Sequence, residues 1–351
     1  MVEYAIDIWD LSGIDPRPDP VTGWQEAMRR PVALAVLVWL LAAACIDEEA
    51  RSTSAKRPSV TSTVTQSAAR RLPSCARPVV RHRQGKPERG LIACWSDSPY
   101  PTLWSVKPHG ADGRRLYRTH QNAKRPAFSP DGKWVAFDGA PPGTAPLTDF
   151  DIQVVRRDGG GRRTVVGSPA TEVGAQWSPD GRRLSYTRTP ATSELDLGWI
   201  WTVRFDGSGL RRVAPGTSAR WSPDGRRLVF ADRSGDLSIV RADGTDRRKV
   251  LTGPGDEYPT AWSASGEILF TRVEFAGANV YAMRLGRSHI RELTCATGDE
   301  SAATWSPDGS HIVYVIGGYG AGQLAVMNAD GSDQHVITAS NLNAFDPSWG
   351  P

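Results

Sequence analysis

Short apolar runs alternate with turn residues through the C-terminal three quarters of the chain. A string of the form W-S-P-D-G, or a near copy of it, punctuates these runs at steps of 41 to 49 residues. We call its aromatic residue the marker, and the markers are Phe128, Trp177, Trp221, Trp262, Trp305 and, without the rest of the string, Trp349. A repeat of this length holds four short strands, so the pattern predicts the blades of a β-propeller.

The fourth blade-sized unit shows how the strands are predicted. Its strands are expected at 219–221, 226–231, 237–240 and 248–251. Ser222-Pro223-Asp224-Gly225 has proline and glycine at the second and fourth positions of a type I turn, and Asp243-Gly244 is a hairpin signal. The aspartates that repeat in the first turn are Asp131, Asp180, Asp224 and Asp308.

Both kinds of turn give six blades. The hairpin pair recurs at Asp112, Asp158, Asp206, Asp243 and Asp330, each followed by glycine, and in degraded form near Gly286. The first unit lacks its first strand, because strands are expected at 90–95, 103–106 and 116–118, whereas 347–349 is a first strand with nothing after it. We therefore expect an all-β, six-bladed propeller in which the C-terminal strand pairs with the N-terminal blade and removes the open sheet edges.

The repeated motif, the blade number and the split terminal blade resemble the TolB-type, WD40-like propeller repeats over residues 90–351. The resemblance implies a cell-envelope protein that uses its propeller as a protein-binding platform. TolB-like proteins place a small α/β domain before the propeller, and the residues upstream of Gly90 show no such pattern.

The N-terminal part predicts export. Arg29-Arg30 precedes the uncharged run 32–44, which has the length of a signal-peptide core and ends in small residues before Cys45. We expect 28–44 to be a signal peptide, Cys45 to be the acylated N-terminus of a lipoprotein, 45–75 to be a Ser/Thr/Arg-rich tether and 76–351 to be the propeller. Residues 1–27 are expected to be disordered or to precede the true start at Met28. An ordinary cleaved signal with a chance cysteine is the alternative. Either places the protein outside the bacterial cell membrane, in the periplasm or anchored to the membrane.

Composition and charge fit an exported β protein. The chain has 35 Gly, 26 Pro and 13 Trp, and its formal net charge of +4 does not indicate nucleic-acid binding. Arginine pairs follow many of the tight turns, so one face should be rich in arginine. These arginines would contact anionic lipid or an acidic partner, or they would pair with the turn aspartates and solubilise the rim.

The opposite face carries the variable connections, where binding usually resides. The longest are 139–150 and 189–197, and the Gly-rich segment at 317–320 contains Tyr319. Glu172, Glu257 and Glu300 each lie five residues before a marker, and Asp256 and Asp299 adjoin two of them. We expect these carboxylates to ring the mouth of the central channel as part of a binding face, with calcium as one ligand to consider. Solvated loop carboxylates are the alternative.

Candidate chemistry is sparse. The six histidines show no metal-ligand spacing and no G-x-S-x-G motif is present, so no catalytic residue, metal or other cofactor is predicted. Cys75 and Cys94 are the preferred disulfide pair, with Cys75–Cys295 or a buried unpaired Cys94 as alternatives. We expect a monomeric, membrane-tethered module that binds an envelope protein, a peptide or a glycan. The alternative is a carbohydrate lyase or hydrolase whose site lies in the channel.

Overall fold

The computed structural model describes residues 90–96, 102–110, 113–116, 123–140, 150–190, 198–287, 289–295, 299–318, 321–339 and 342–351. Across these residues the chain forms β-strands and turns. The predicted signal peptide, Cys45, the tether, Cys75 and Tyr319 lie outside the described residues. Within the described ranges, no helix is long and apolar enough to cross a membrane.

The strands form six four-stranded antiparallel sheets, which are the six predicted blades. Blade 1 contains β1 (Leu91–Ser96), β2 (Thr102–Val106), β3 (Arg114–Arg115) and the last strand, β24 (Ala344–Gly350). Blade 2 contains β4 (Ala123–Phe128), β5 (Trp134–Gly139), β6 (Asp151–Arg156) and β7 (Arg163–Val166). Blade 3 contains β8 (Thr171–Trp177), β9 (Arg183–Thr189), β10 (Trp199–Arg204) and β11 (Arg211–Pro215).

Blade 4 contains β12 (Thr217–Trp221), β13 (Arg227–Ala231), β14 (Leu237–Arg241) and β15 (Arg248–Leu251), close to the boundaries expected from sequence. Blade 5 contains β16 (Asp256–Trp262), β17 (Glu267–Glu274), β18 (Gly277–Arg284) and β19 (Ile290–Glu292). Blade 6 contains β20 (Glu300–Trp305), β21 (His311–Ile316), β22 (Gln323–Asn328) and β23 (His335–Val336). β24 pairs with β1, with Trp349 opposite Ile92, so the C-terminal strand completes the first blade.

The turn after each marker is held by its own polar side chains. In blade 4 the Gly225 N–H donates to Ser222 O at 2.8 Å, and Gly225 has a φ of 64°, which favours glycine. The Asp224 carboxylate accepts hydrogen bonds from Ser222 Oγ and from the N–H of Arg226. The equivalent hydrogen bonds from Ser306 and Ser310 lower the pKa of Asp308 to about 2. The repeated aspartate is therefore a turn-stabilising residue.

Neighbouring blades are linked by polar side chains as well as by apolar packing. The marker indole of Trp177 donates to Ala127 O at 3.0 Å, and that of Trp221 donates to Gln176 O at 3.1 Å. Several arginines also donate to a backbone carbonyl of the next blade. These pairs are Arg114 with Arg157, Arg163 with Phe205, Arg183 with Gly225, Arg211 with Asp243 and Arg291 with Ala329.

The cysteines correct the preferred disulfide. Cys94 is a free thiol with no exposed surface, in the middle of β1, so the predicted Cys75–Cys94 bond is wrong. The side chain packs in the apolar core of the first blade. Cys295 is disulfide-bonded, and its partner lies outside the described residues.

We predict that Cys94 resists alkylation in the native protein and reacts on unfolding without any reductant. Burial excludes the reagent and raises the pKa of the thiol to about 12, so little nucleophilic thiolate forms near pH 8. Iodoacetamide labelling with and without denaturant, followed by mass analysis of the peptide that contains Cys94, measures this. If the peptide stayed unlabelled in denaturant until reductant was added, Cys94 would be in a disulfide and the prediction would be wrong.

Candidate functional site

The six first strands, β4, β8, β12, β16, β20 and β24, surround a central channel. Each begins at the face that carries the connections between second and third strands, here called the loop face, and ends at the tight turns, here called the turn face. Each first strand contains a one-residue β-bulge shortly before its marker. The residue three before the marker has a positive φ in five blades, namely Arg125, Gly174, Ser218, Ala302 and Asp346, and is Pro259 in the sixth.

The bulge decides which side chains face the channel. Side chains alternate along a strand, and one extra residue reverses the alternation. The residue just before the marker therefore faces the channel, whereas the residue five before it turns into the blade. The cavity lining agrees, because it includes Gln176, Arg220, Thr304 and Ser348.

The predicted carboxylate ring is consequently wrong. Glu172 and Glu257 have no exposed surface and Glu300 has 2%. Of the acids beside them, Asp256 is partly buried and Asp299 is exposed. The glutamates begin the first strands as expected, but the bulge that follows directs them away from the channel. The sequence does not reveal the extra residue, because every first strand contains one and the repeat therefore looks the same with it as without it.

Two of these glutamates belong to a repeated ion-pair arrangement within the blades. Glu172 Oε1 lies 2.8 Å from Arg188 Nε, the residue opposite it on β9, and the guanidinium stacks 4.6 Å from the ring of Trp201. In blade 5, Glu257 Oε1 lies 2.9 Å from Arg272 Nε. Burial raises the pKa of both glutamates, although the arginines oppose the shift. These carboxylates stabilise blade geometry instead of presenting charge to a ligand.

Another buried carboxylate, that of Asp138, lies beside the channel. Asp138 on β5 accepts from Arg125 Nη1 at 2.7 Å and from the Gly174 N–H at 2.8 Å, so it joins the bulges of two neighbouring first strands. Desolvation raises its pKa to about 6, despite the opposing effect of Arg125. On β24, the Asp346 carboxylate accepts a hydrogen bond from the indole N–H of Trp95 at 2.7 Å.

These bulged segments enclose a cavity of about 70 Å³ in the channel, to which all six first strands contribute. Most of its polar groups come from the bulges and from the residue just before the marker. They are Arg125, Gln176, Arg220, Thr260, Thr304, Asp346 and Ser348. The described residues thus place a partly open polar cavity on the propeller axis.

Among the described residues of the loop face, the most exposed apolar side chain is that of Phe275. β17 and β18 of blade 5 have eight residues each, longer than the corresponding strands of the other blades, and Phe275 occupies the two-residue turn between them. Phe275 is 110% exposed relative to the reference residue, and nearby Val273 is 40% exposed. Sequence reasoning passed over this tip because it favoured the longer connections, most of whose residues lie outside the described ranges.

The turn face is less available for anionic partners than its composition indicates. Many of its arginines donate to the next blade, and several stack on aromatic rings, as Arg163 does on Phe205 and Arg183 on Trp221. The turn aspartates accept mainly from their own turns, with exposed contacts such as Arg241–Asp246 at 3.8 Å as exceptions. Contacts to the next blade are therefore a further role for several of these arginines, beside the two roles expected from the sequence.

None of the described histidines lines the channel cavity. His311, at the start of β21, contacts Ser310 Oγ, and His335, on the outer strand β23, contacts Asp333 O. His289 is exposed before β19, and His120 lies outside the described residues. In the described part of the chain, no three His, Cys, Asp or Glu side chains are arranged to hold a metal ion.

Comparison with known families agrees with this architecture. The model of the TolB beta propeller domain matches residues 110–351. The chain belongs to the TolB β-propeller family. TolB-like propellers mediate protein interactions and occur in periplasmic envelope proteins, so membership indicates an interaction module without naming its partner.

Solved structures share the fold of this TolB-type propeller at low sequence identity. TolB from Acinetobacter baumannii is 20% identical, with a TM-score of 0.64 over 75% of this chain and 67% of that one. A chain of a nidogen/laminin complex is 13% identical, with a TM-score of 0.60 over 74% and 98%. A chain of Kuenenia stuttgartiensis hydrazine synthase is 12% identical, with a TM-score of 0.60 over 76% and 47%. Such likeness shows the fold alone.

We predict that Asp138→Asn changes how the stability of this TolB-type propeller depends on pH. The folded-state pKa of Asp138 is about 6, above the ordinary aspartate value of 3.8, so the favourable protonated form is lost as pH rises through 6. Relative to wild type, the variant should gain about 2 kcal/mol of unfolding free energy between pH 4 and pH 7. Urea denaturation at several pH values measures this difference.

Asp246→Asn is the matched control, because Asp246 is exposed and asparagine tolerates its positive φ of 55°. Its difference from wild type should vary little over the same range. A pH-independent difference for Asp138→Asn would mean that Arg125 fully compensates the desolvation of the carboxylate.

Proposed function

We propose that this propeller binds an envelope protein or peptide through its loop face, with the Phe275 hairpin as the principal contact. The observation that carries the proposal is the complete exposure of an aromatic side chain at the tip of the longest hairpin. Burying a phenylalanine side chain is worth about 1.5–3 kcal/mol, so its exposure favours association with an apolar partner surface. Aromatic residues are also enriched at interaction hot spots.

The surroundings of the hairpin support a protein partner over a glycan. Val273 adds aliphatic surface beside the ring, whereas a sugar would need polar groups around an aromatic face. The hairpin is also well ordered for a segment that connects two strands, because its strands remain paired up to the turn, where Glu274 lies opposite Gly277. A rigid apolar anchor loses little conformational entropy on binding.

Site-specific photo-crosslinking tests the loop face. A benzophenone amino acid at position 275 should form a saturable crosslink in envelope fractions, and excess untagged wild-type protein should compete with it. Competition by an untagged Phe275→Ser protein should be at least tenfold weaker, which corresponds to about 1.4 kcal/mol of binding free energy. The binding assay reports on this face independently of stability, because Phe275 makes no contribution to a buried core.

Position 210 provides the matched control. Leu210 is also an exposed apolar residue, 50% exposed, but it follows the hairpin turn of blade 3 on the turn face. The same photoreactive residue there should give no competable crosslink. Equal crosslinking from both positions would indicate nonspecific hydrophobic capture and would count against the proposal.

We also propose that the propeller is held at the membrane by lipid on Cys45. The support is the sequence alone, in the arginine pair, the short apolar run and the small residues before the cysteine. Anchoring would keep the loop face near envelope partners and raise their effective concentration.

Intact-mass analysis of the membrane fraction tests the anchor. We expect expression in a bacterial host to yield a chain that starts at Cys45 with a diacyl or triacyl mass. Cys45→Ser should move the protein to the soluble fraction. A soluble wild-type chain with an unmodified Cys45 would remove the anchor while leaving the loop-face proposal intact.

A further inference from the structure

The six residues that immediately precede the markers form a ring around the channel, and this ring contains a single charged side chain. The residues immediately before the six markers face the axis, and five of them are neutral. They are Ala127, Gln176, Arg220, Ala261, Thr304 and Ser348. Because Arg220 has no counterpart in the other blades, the repeat does not require it, and its role must be sought at this one position.

The structure fixes the Arg220 guanidinium without neutralising it. Nε donates to Thr260 O at 2.6 Å and Nη1 donates to Ala219 O at 3.0 Å, so both protein partners are backbone carbonyls. Among the described residues, no carboxylate lies within ion-pair distance of it. Desolvation lowers its pKa to about 10, while Asp346 acts in the opposite direction from farther away, so the side chain is cationic at neutral pH. Only two of its five N–H donors are used by the protein.

The cavity wall beside Arg220 offers further donors. Thr260 Oγ1 is buried and makes no hydrogen bond to the protein, and Thr304, Gln176 and Ser348 line the same space. Buried hydroxyl groups without a partner are costly, so a bound group that accepts their hydrogen bonds would be stabilised. A cation and unused donors around one polar cavity form a site for an anion.

We propose that the channel cavity binds a carboxylate group, held by the Arg220 guanidinium and by the hydroxyl of Thr260. A carboxylate matches the planar fork of a guanidinium through two parallel hydrogen bonds. Its single negative charge suits the one cation of the cavity that lacks an acidic partner, and Asp346 in the same cavity repels a phosphate dianion about twice as strongly as a carboxylate. The volume of about 70 Å³ has room for roughly five to seven water-sized groups, which fits the end of a short carboxylic acid.

The carboxylate has two sources, a free small acid or an acidic residue inserted by a bound peptide. The peptide source rests on the binding function proposed above, and the free acid does not. Both present the same group to Arg220, so small acids test the site without any partner protein.

Titration of the full chain with acetate and glutarate at constant ionic strength is the first experiment. We expect a saturable rise in the thermal unfolding midpoint, since a ligand that binds the folded state alone stabilises it. Inorganic phosphate and chloride should give no saturable rise. Absence of saturation with either acid up to high millimolar concentration, or a larger effect of phosphate, would overturn the proposal.

Variants then locate the site. Arg220→Gln should weaken glutarate binding at least tenfold, and Arg220→Lys should weaken it less because charge remains without the fork. Thr260→Val should weaken it about threefold, which keeps the site testable if the Arg220 variants fail to fold. Arg248→Gln, an exposed arginine on the outer strand β15, is the matched control and should leave affinity unchanged. Unchanged affinity in folded Arg220→Gln would overturn the site.

A third arm distinguishes the sources. Short peptides that differ only in Glu or Gln at one position are titrated against wild type and against Phe275→Ser. A Glu-dependent gain in affinity that glutarate abolishes identifies an inserted side chain. Binding of glutarate with no preference for the Glu peptide identifies a free acid. Loss of peptide binding in Phe275→Ser with glutarate binding intact separates the loop face from the channel.

Discussion

Six strands must converge on one axis, and this constraint shapes the rest of the propeller. Each first strand meets it with an extra residue two or three positions before its marker, and the third position most often has a positive φ that side chains other than glycine rarely adopt. A bulge bends a strand, increases its twist and redirects its side chains. Pro259 cannot adopt a positive φ, yet its strand has the same extra residue, between Pro259 and Ala261. Since six different residue types occupy this position, closure around the axis explains the bulge better than any one side chain does.

The bulge also separates what the sequence could predict from what it could not. The marker and its turn are local features, so blade number, strand boundaries and the role of Asp224 follow from nearest neighbours along the chain. The phase of Glu172 and Glu257 depends on an insertion relative to a partner strand, which leaves no local signature. Because each strand contains one extra residue, both carboxylates lie within the blade and not in the channel where they were expected. Arg188 and Arg272 neutralise them there. Phe275 was missed for a different reason, because exposure at a short turn has no compositional signal.

Arginine illustrates how composition can mislead about function. A basic face suggests an anionic partner. In this propeller, however, several guanidinium groups donate hydrogen bonds to backbone carbonyls of the next blade. Their planar groups also cover aromatic rings at the blade edges, as Arg183 covers Trp221. The turn aspartates meanwhile retain local partners, which keeps the pKa of Asp308 low. Several arginines of the chain therefore take part in ring assembly.

Function must then lie in the residues that the repeat does not explain. The same fold occurs in a TolB protein, in a nidogen/laminin complex and in hydrazine synthase, so architecture alone assigns no activity. Arg220 faces the axis at a position where the other blades have a neutral residue, and Phe275 is a fully exposed aromatic residue at the loop face. Both depart from the local preference to pair charge and to bury apolar surface. Such departures persist more easily where a ligand supplies the missing partner, which is why these two positions, and not the repeated arginines or glutamates, carry the functional argument.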